Sequence, residues 1–93
     1  MAHFLYIIRS EKADSYYIGE TINVIDRLAQ HNSGFFKGSF TKQADDWTLL
    51  KSIEFKNISN ARNAEKFIKK MKSRKFIEQL IIEHLWLLDR FDL

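Results

Sequence analysis

The chain has 93 residues, 45% of them hydrophobic and 29% charged, with three glycines and no proline. That allows one domain with a single core, excludes a disordered chain, and puts any active site on the surface of that core. There is no cysteine, so disulfides and thiolate metal centres are excluded, and the net charge of +3 is unevenly spread: residues 51–75 carry nine Lys and Arg against Glu54 and Glu65, the remainder six against ten.

The opening "MAHFLYIIRSEK" lacks the basic region and apolar run of a signal peptide, and no apolar stretch approaches the roughly 20 residues of a membrane span. A cytoplasmic protein without membrane contact is expected. "HFLYIIR" and "SYYIGE" are rich in aromatic and β-branched residues and are separated by the polar "SEKAD", so they predict an antiparallel hairpin whose second strand ends at Gly19. Val24, Ile25 and Leu28 then recur at helical spacing, and Asn23 with Asp26 resembles a capping box, so a helix over about 23–33 closed by Gly34 is predicted. "SGFFKGSFTKQADD" has no period and reads as a loop. Phe35, Phe36 and Phe40 alternate there with Lys37 and Lys42, a mixture suited either to base stacking beside phosphate contacts or to folding back on the core.

"WTLLKSIEF" reads as a third strand. Ser59 is the expected cap of a helix with the apolar stripe Ala61, Ala64, Phe67, Ile68 and Met71. Ser73 is the expected cap of a last helix, with Phe76, Ile77, Leu80, Ile81, His84, Leu85 and Leu88 on one face. The order ββαβαα predicts an α/β (α+β) domain spanning 1–93, a three-stranded antiparallel sheet flanked by helices. The apolar tail 85–93 either closes the core or forms a dimer patch, so a monomer or weak homodimer is expected.

The residues with chemistry have plain structural readings as well. Tyr6, Tyr16 and Tyr17 lie in strands, where tyrosine is commonly half-buried; alternation puts Tyr16 and Tyr17 on opposite faces, so only one of them shares a site with Tyr6. Arg27 and His31 are one helical turn apart, as a surface pair or at the seam between helix and sheet. Glu65 stands alone among cations: it either pairs with Lys69 at i+4 or holds a divalent ion such as magnesium, which often needs only one or two protein carboxylates. The basic stretch, including Lys66, Lys69, Lys70, Lys72, Arg74 and Lys75, is either a solvated face or, with Lys42, a surface for nucleic acid.

Taken together these residues resemble the GIY-YIG nuclease family, specifically its small single-domain members. "FLY" stands at the first motif, with Tyr6 as its tyrosine, and "YIG" at Tyr17, Ile18 and Gly19 is the second. Arg27 falls at the family's helical arginine, His31 one turn later, and Glu65 at the metal-binding glutamate, while "QHNSG", "WTLL" and "IKKMKSRKFIEQLI" resemble further segments of the small members. Two departures are Phe4 in place of the first motif's glycine and Glu20 where some family nucleases have a lysine, whose role is therefore not carried over.

The resemblance implies a Mg2+-dependent (or Mn2+-dependent) DNA endonuclease. In that reading Tyr6, or alternatively Tyr17, is the base, His31 accepts the tyrosine proton, Arg27 stabilises the transition state, and Glu65 holds the metal beside the leaving 3′ oxygen. A tyrosine has a reference pKa of about 10, so such a base needs neighbouring cations. Two rivals are a nucleic-acid-binding module with the same fold and little cleavage, and an interaction protein whose tyrosines are core residues.

Overall fold

The protein is described by a computed structural model covering residues 2–35 and 40–93. Strands β1 (His3–Ser10) and β2 (Ser15–Thr21) form the hairpin, in a register running from Ser10 opposite Ser15 to Phe4 opposite Thr21. Its turn is held from outside: Asp46 accepts hydrogen bonds from the Ser10 hydroxyl and from the N–H groups of Glu11 and Lys12. Strand β3 (Thr48–Phe55) pairs with the other side of β1, giving an antiparallel sheet in the order β2-β1-β3. Helix α1 (Val24–Asn32) follows β2, a short 3-10 turn spans Phe40–Gln43, and α2 (Ile58–Met71), α3 (Arg74–Ile82) and α4 (Leu85–Phe91) follow β3. The fold is α+β, as the strand and helix patterns predict, with order ββαβααα rather than ββαβαα.

Strand alternation sorts the core into two clusters on opposite faces of the sheet. Leu5, Ile7, Ile18, Ile53 and Phe55 meet Ala61, Ala64 and Ile68 of α2, Leu80 of α3 and Leu87 of α4. Each large side chain so buried contributes about 1.5–3 kcal/mol. On the other face Tyr6, Ile8 and Trp47 pack with Tyr17 and with Val24 and Leu28 of α1. A β-bulge makes this possible for Trp47. Ile7 pairs with Lys51 but Ile8 with Leu49, so Leu50 is the extra residue, and the alternation of β3 changes phase there.

Three local expectations are corrected. Gly19 does not end β2, which runs on to Thr21; a glycine is required there because it lies opposite Tyr6, and a Cβ would fall 2.5 Å from the ring carbon bearing the hydroxyl. The cap of α2 is Asn57, not Ser59: its side chain accepts from the Asn60 N–H at 2.8 Å. Ser73 does cap the following helix, accepting from the Phe76 N–H, but that helix stops at Ile82, and the single face drawn through Leu85 is broken. Glu83 turns extended and its side chain accepts from the Leu85 N–H; α4 then starts in a new direction that buries Leu87 and leaves Leu85 61% exposed. Helix α4 lays Trp86 and Phe91 against Phe67, and Asp92 beyond it accepts from the Lys56 N–H and the Asn60 side chain at the start of α2.

Candidate active site

Tyr6 sits on the central strand, 1% exposed, with its ring over Gly19 and its hydroxyl 2.7 Å from Nε2 of His31. Tyr17, two residues before Gly19 on the neighbouring strand, has its ring 6.4 Å from that of Tyr6 and meets the His31 ring edge-on at 5.1 Å. Tyr16 points to the opposite face, where Arg9 and Arg74 stack on its ring and its hydroxyl donates to Glu78. The strand period therefore separates the adjacent tyrosines, and Tyr17 is the one that joins Tyr6.

Helix α1 supplies the next two groups. Its start is fixed by Asn23, whose side chain accepts from the Asp26 N–H, and its apolar residues Val24 and Leu28, packed against Tyr6, Ile8 and Trp47, turn Arg27 and His31 toward the tyrosines. His31 is 2% exposed and is held at both nitrogens, since Nδ1 lies 2.7 Å from the Thr41 hydroxyl. Burial, with Arg27 nearby, pushes its pKa down to about 4, so the ring is neutral at pH 7. Arg27 is within hydrogen-bonding reach of the Tyr6 hydroxyl and can only donate. The arrangement that satisfies every group has the Tyr6 O–H donating to Nε2 of His31, and the Nδ1–H of His31 donating to Thr41. Burial first, and the neighbouring Tyr17 second, hold the Tyr6 hydroxyl well above the ordinary tyrosine range; Arg27 opposes this and Glu65 adds to it.

Helix α2 packs on the other face of the sheet through Ala61, Ala64 and Ile68, but the residues following two of these, Glu65 and Lys69, reach round the β2 edge. Lys69 Nζ lies 5.1 Å from the centre of the Tyr17 ring and 2.6 Å from Oε2 of Glu65, whose side chain is 19% exposed. Among the described residues no group of three or more His, Cys, Asp or Glu side chains could hold a metal. A lone, partly shielded carboxylate fits a hard cation such as Mg2+ or Mn2+ that keeps most of its water, and does not fit zinc or calcium cages. Glu20 does not enter the site. It faces the opposite side of the sheet, where it bonds to His3 and, at 3.4 Å, to Arg62.

The candidate nucleic-acid residues divide. Lys69, Lys72 and Arg74 line a groove that also takes in Tyr17; Lys66, Lys70 and Lys75 are exposed but do not line it. Lys42 borders a different cleft with Lys12, Asn32 and Ser33. Of "FFKGSF", Phe35 is exposed, and residues 36–39 lie outside those described. Thr41 escapes sequence reasoning: it sits in a stretch without period, and nothing local signals that its hydroxyl orients His31. Thr41 is fixed in place through its backbone, whose carbonyl accepts from the Trp47 indole N–H.

The sequence matches the GIY-YIG catalytic domain family over residues 2–78. It is 35% identical over 81 residues to a UPF0213 protein of Listeria monocytogenes, covering 87% of this chain and 88% of that one. It is also 35% identical over 81 residues to a UPF0213 protein of Listeria welshimeri, covering 87% of each. The solution NMR structure of the UPF0213 protein BH0048 from Bacillus halodurans superimposes with a TM-score of 0.56 at 28% identity, over 90% of this chain and 86% of that one. A match across most of the chain, on a fold that gathers the motif arginine, histidine and glutamate around Tyr6 of the central strand and Tyr17 beside it, places this protein in the GIY-YIG family of nuclease-type catalytic domains.

Proposed function

We propose that the protein is a Mg2+- or Mn2+-dependent DNA endonuclease that hydrolyses phosphodiester bonds in branched or damaged DNA, as in repair. The observation that carries this reading is the Tyr6 hydroxyl, bonded to a neutral His31 and within reach of Arg27. Tyr6 can take a proton from an attacking water while passing its own to Nε2 of His31, so no free phenolate is needed despite its raised pKa. Thr41 holds the ring in the tautomer that leaves Nε2 open as the acceptor. Arg27 carries the positive charge for the pentavalent phosphate, and a phosphate beside it offsets the charge that helps depress the His31 pKa, making His31 a better acceptor once substrate is bound. Tyr17 orients water or phosphate. Glu65 is the residue that would hold a divalent cation; the cation would supply charge stabilisation at the 3′ oxygen.

The second reading, a binding module with little cleavage, draws on one observation: Lys69 already neutralises Glu65. Titrating Mg2+ and Mn2+ against supercoiled plasmid, linear duplex, flap and junction DNA decides between the two. Nicking that requires the metal supports the nuclease. Salt-sensitive binding without nicking in either metal refutes it in favour of the module.

A further inference from the structure

A groove of about 410 Å3 runs from Tyr17 along the β2 edge to the junction of α2 and α3. Clefts of about 300–1,000 Å3 are the size that takes small-molecule ligands. Its accessible apolar surface comes from Tyr17 and Ile77, over the buried Ile18 and Ile68, and cations stand along it together with Asp14. Arg74 is already committed: it stacks on Tyr16 and bonds to Asp14 at 2.9 Å. Lys72 is different. Among the described residues it forms no ion pair, and it stands where α2 ends in the left-handed conformation (φ 49°, ψ 40°). Glycine is the residue that this helix-ending position favours, since a Cβ is strained there. A lysine held at a strained cap, with its charge unspent beside an apolar groove, points to a ligand rather than to stability.

We propose that this groove holds an unpaired DNA strand continuing from the scissile phosphate, with bases against Tyr17 and Ile77 and a phosphate on Lys72. The occupant follows from the chemistry of the walls. Apolar surface rewards a base whose face is free, which a duplex keeps stacked, while the cations track a phosphate backbone. The groove shares Tyr17 and Lys69 with the candidate active site, so the strand it holds is the one leading into or out of that site. The proposal rests on the nucleic-acid reading of that site, and it selects single-stranded or flapped DNA over intact duplex.

The test is fluorescence anisotropy in EDTA, with a labelled oligothymidylate of about ten residues and a blunt duplex of equal length, across a salt series. Lys72→Gly removes the charge and relieves the strained backbone, so the melting temperature should stay level or rise. Single-strand affinity should fall about fivefold, the upper end for an exposed ion pair, with its log–log salt slope flattened by about 0.7. Duplex affinity should fall less, and Lys72→Arg should restore single-strand binding. Unchanged single-strand binding in Lys72→Gly, equal losses for both DNAs, or a wild-type preference for duplex would each overturn the proposal. Failure of the nuclease reading looks different: no nicking in Mg2+, with this strand preference intact.

Discussion

Replacing Tyr6 by Phe removes one oxygen from the centre of the site and leaves the ring over Gly19. In the wild type that oxygen partners Nε2 of His31 at 2.7 Å, in a place where both residues are almost fully shielded from water. The variant leaves the His31 nitrogen without its partner, and an unsatisfied buried polar group costs about 1–3 kcal/mol. In a domain of this size each kcal/mol moves the melting temperature by about 4–8 °C, so a drop of roughly 5–20 °C is expected with the fold retained. The effect on chemistry should be far larger, because loss of a positioned proton-transfer group typically costs about 10²- to 10⁴-fold. Single-turnover nicking in Mg2+, run below the variant's melting temperature as fixed by circular dichroism, measures both quantities. A Tyr6→Phe variant that melts as expected yet nicks at the wild-type rate would refute Tyr6 as the group that takes the proton.

Glu65→Gln keeps the size and helix propensity of the side chain but removes its charge and releases Lys69, so DNA should bind as well or slightly better while nicking falls by orders of magnitude; equal nicking rates would sink the metal assignment. Gly19→Ala forces a methyl group against the Tyr6 ring, and overpacking of this kind costs about 1–3 kcal/mol; a variant that melts like wild type would show that the strands part at no cost there. His31 titrates at about 4 in the folded chain and near 6.5 when unfolded. The unfolded chain therefore binds more protons between these values, and stability should be lost as pH falls from about 6.5 toward 4. Thermal melts of His31→Gln across that range should lose part of this slope, and an identical slope would mean that His31 is not its source.

Much of the site's geometry can be read from short-range periodicity, and what cannot be read arises where the chain breaks a period or meets a distant partner. The two-residue period separates Tyr16 from Tyr17, and the helical turn stacks Arg27 under His31, because both depend only on backbone repeat. Asn23 and Ser73 are legible caps for the same reason: each acts within three residues of itself. Asn57 is missed as a cap because Ser59 lies nearer the apolar stripe and no pattern ranks the two. The bulge at Leu50 leaves only an ambiguous mark in "WTLLKSIEF": the adjacent Leu49 and Leu50 and the following Lys51 interrupt the alternation, but a short break of this kind does not by itself say that Trp47 and Ile53 face opposite ways. Thr41 meets His31 only through the fold. Gly19 looks like a strand end because its requirement comes from the ring on the adjacent strand, not from its own backbone.

Asn32 and Trp47 exchange two hydrogen bonds: the Trp47 N–H donates to the Asn32 side-chain oxygen at 2.7 Å, and the Asn32 amide donates to the Trp47 carbonyl at 2.9 Å. A side chain here does what a strand partner would do, pinning the end of α1 to the start of β3 and making residues 33–46 a closed excursion. Once the ends of a loop are fixed independently of its contents, its length becomes cheap to change, since doubling a flexible loop adds only about 0.6 kcal/mol of closure entropy. The constraints on such insertions lie at its C-terminal end, where Thr41 meets His31 and Trp47, and where Asp46 holds the hairpin turn. Insertions and deletions among relatives should therefore collect between residue 33 and Thr41, and this interval is the place where new substrate contacts could be grafted without disturbing the sheet.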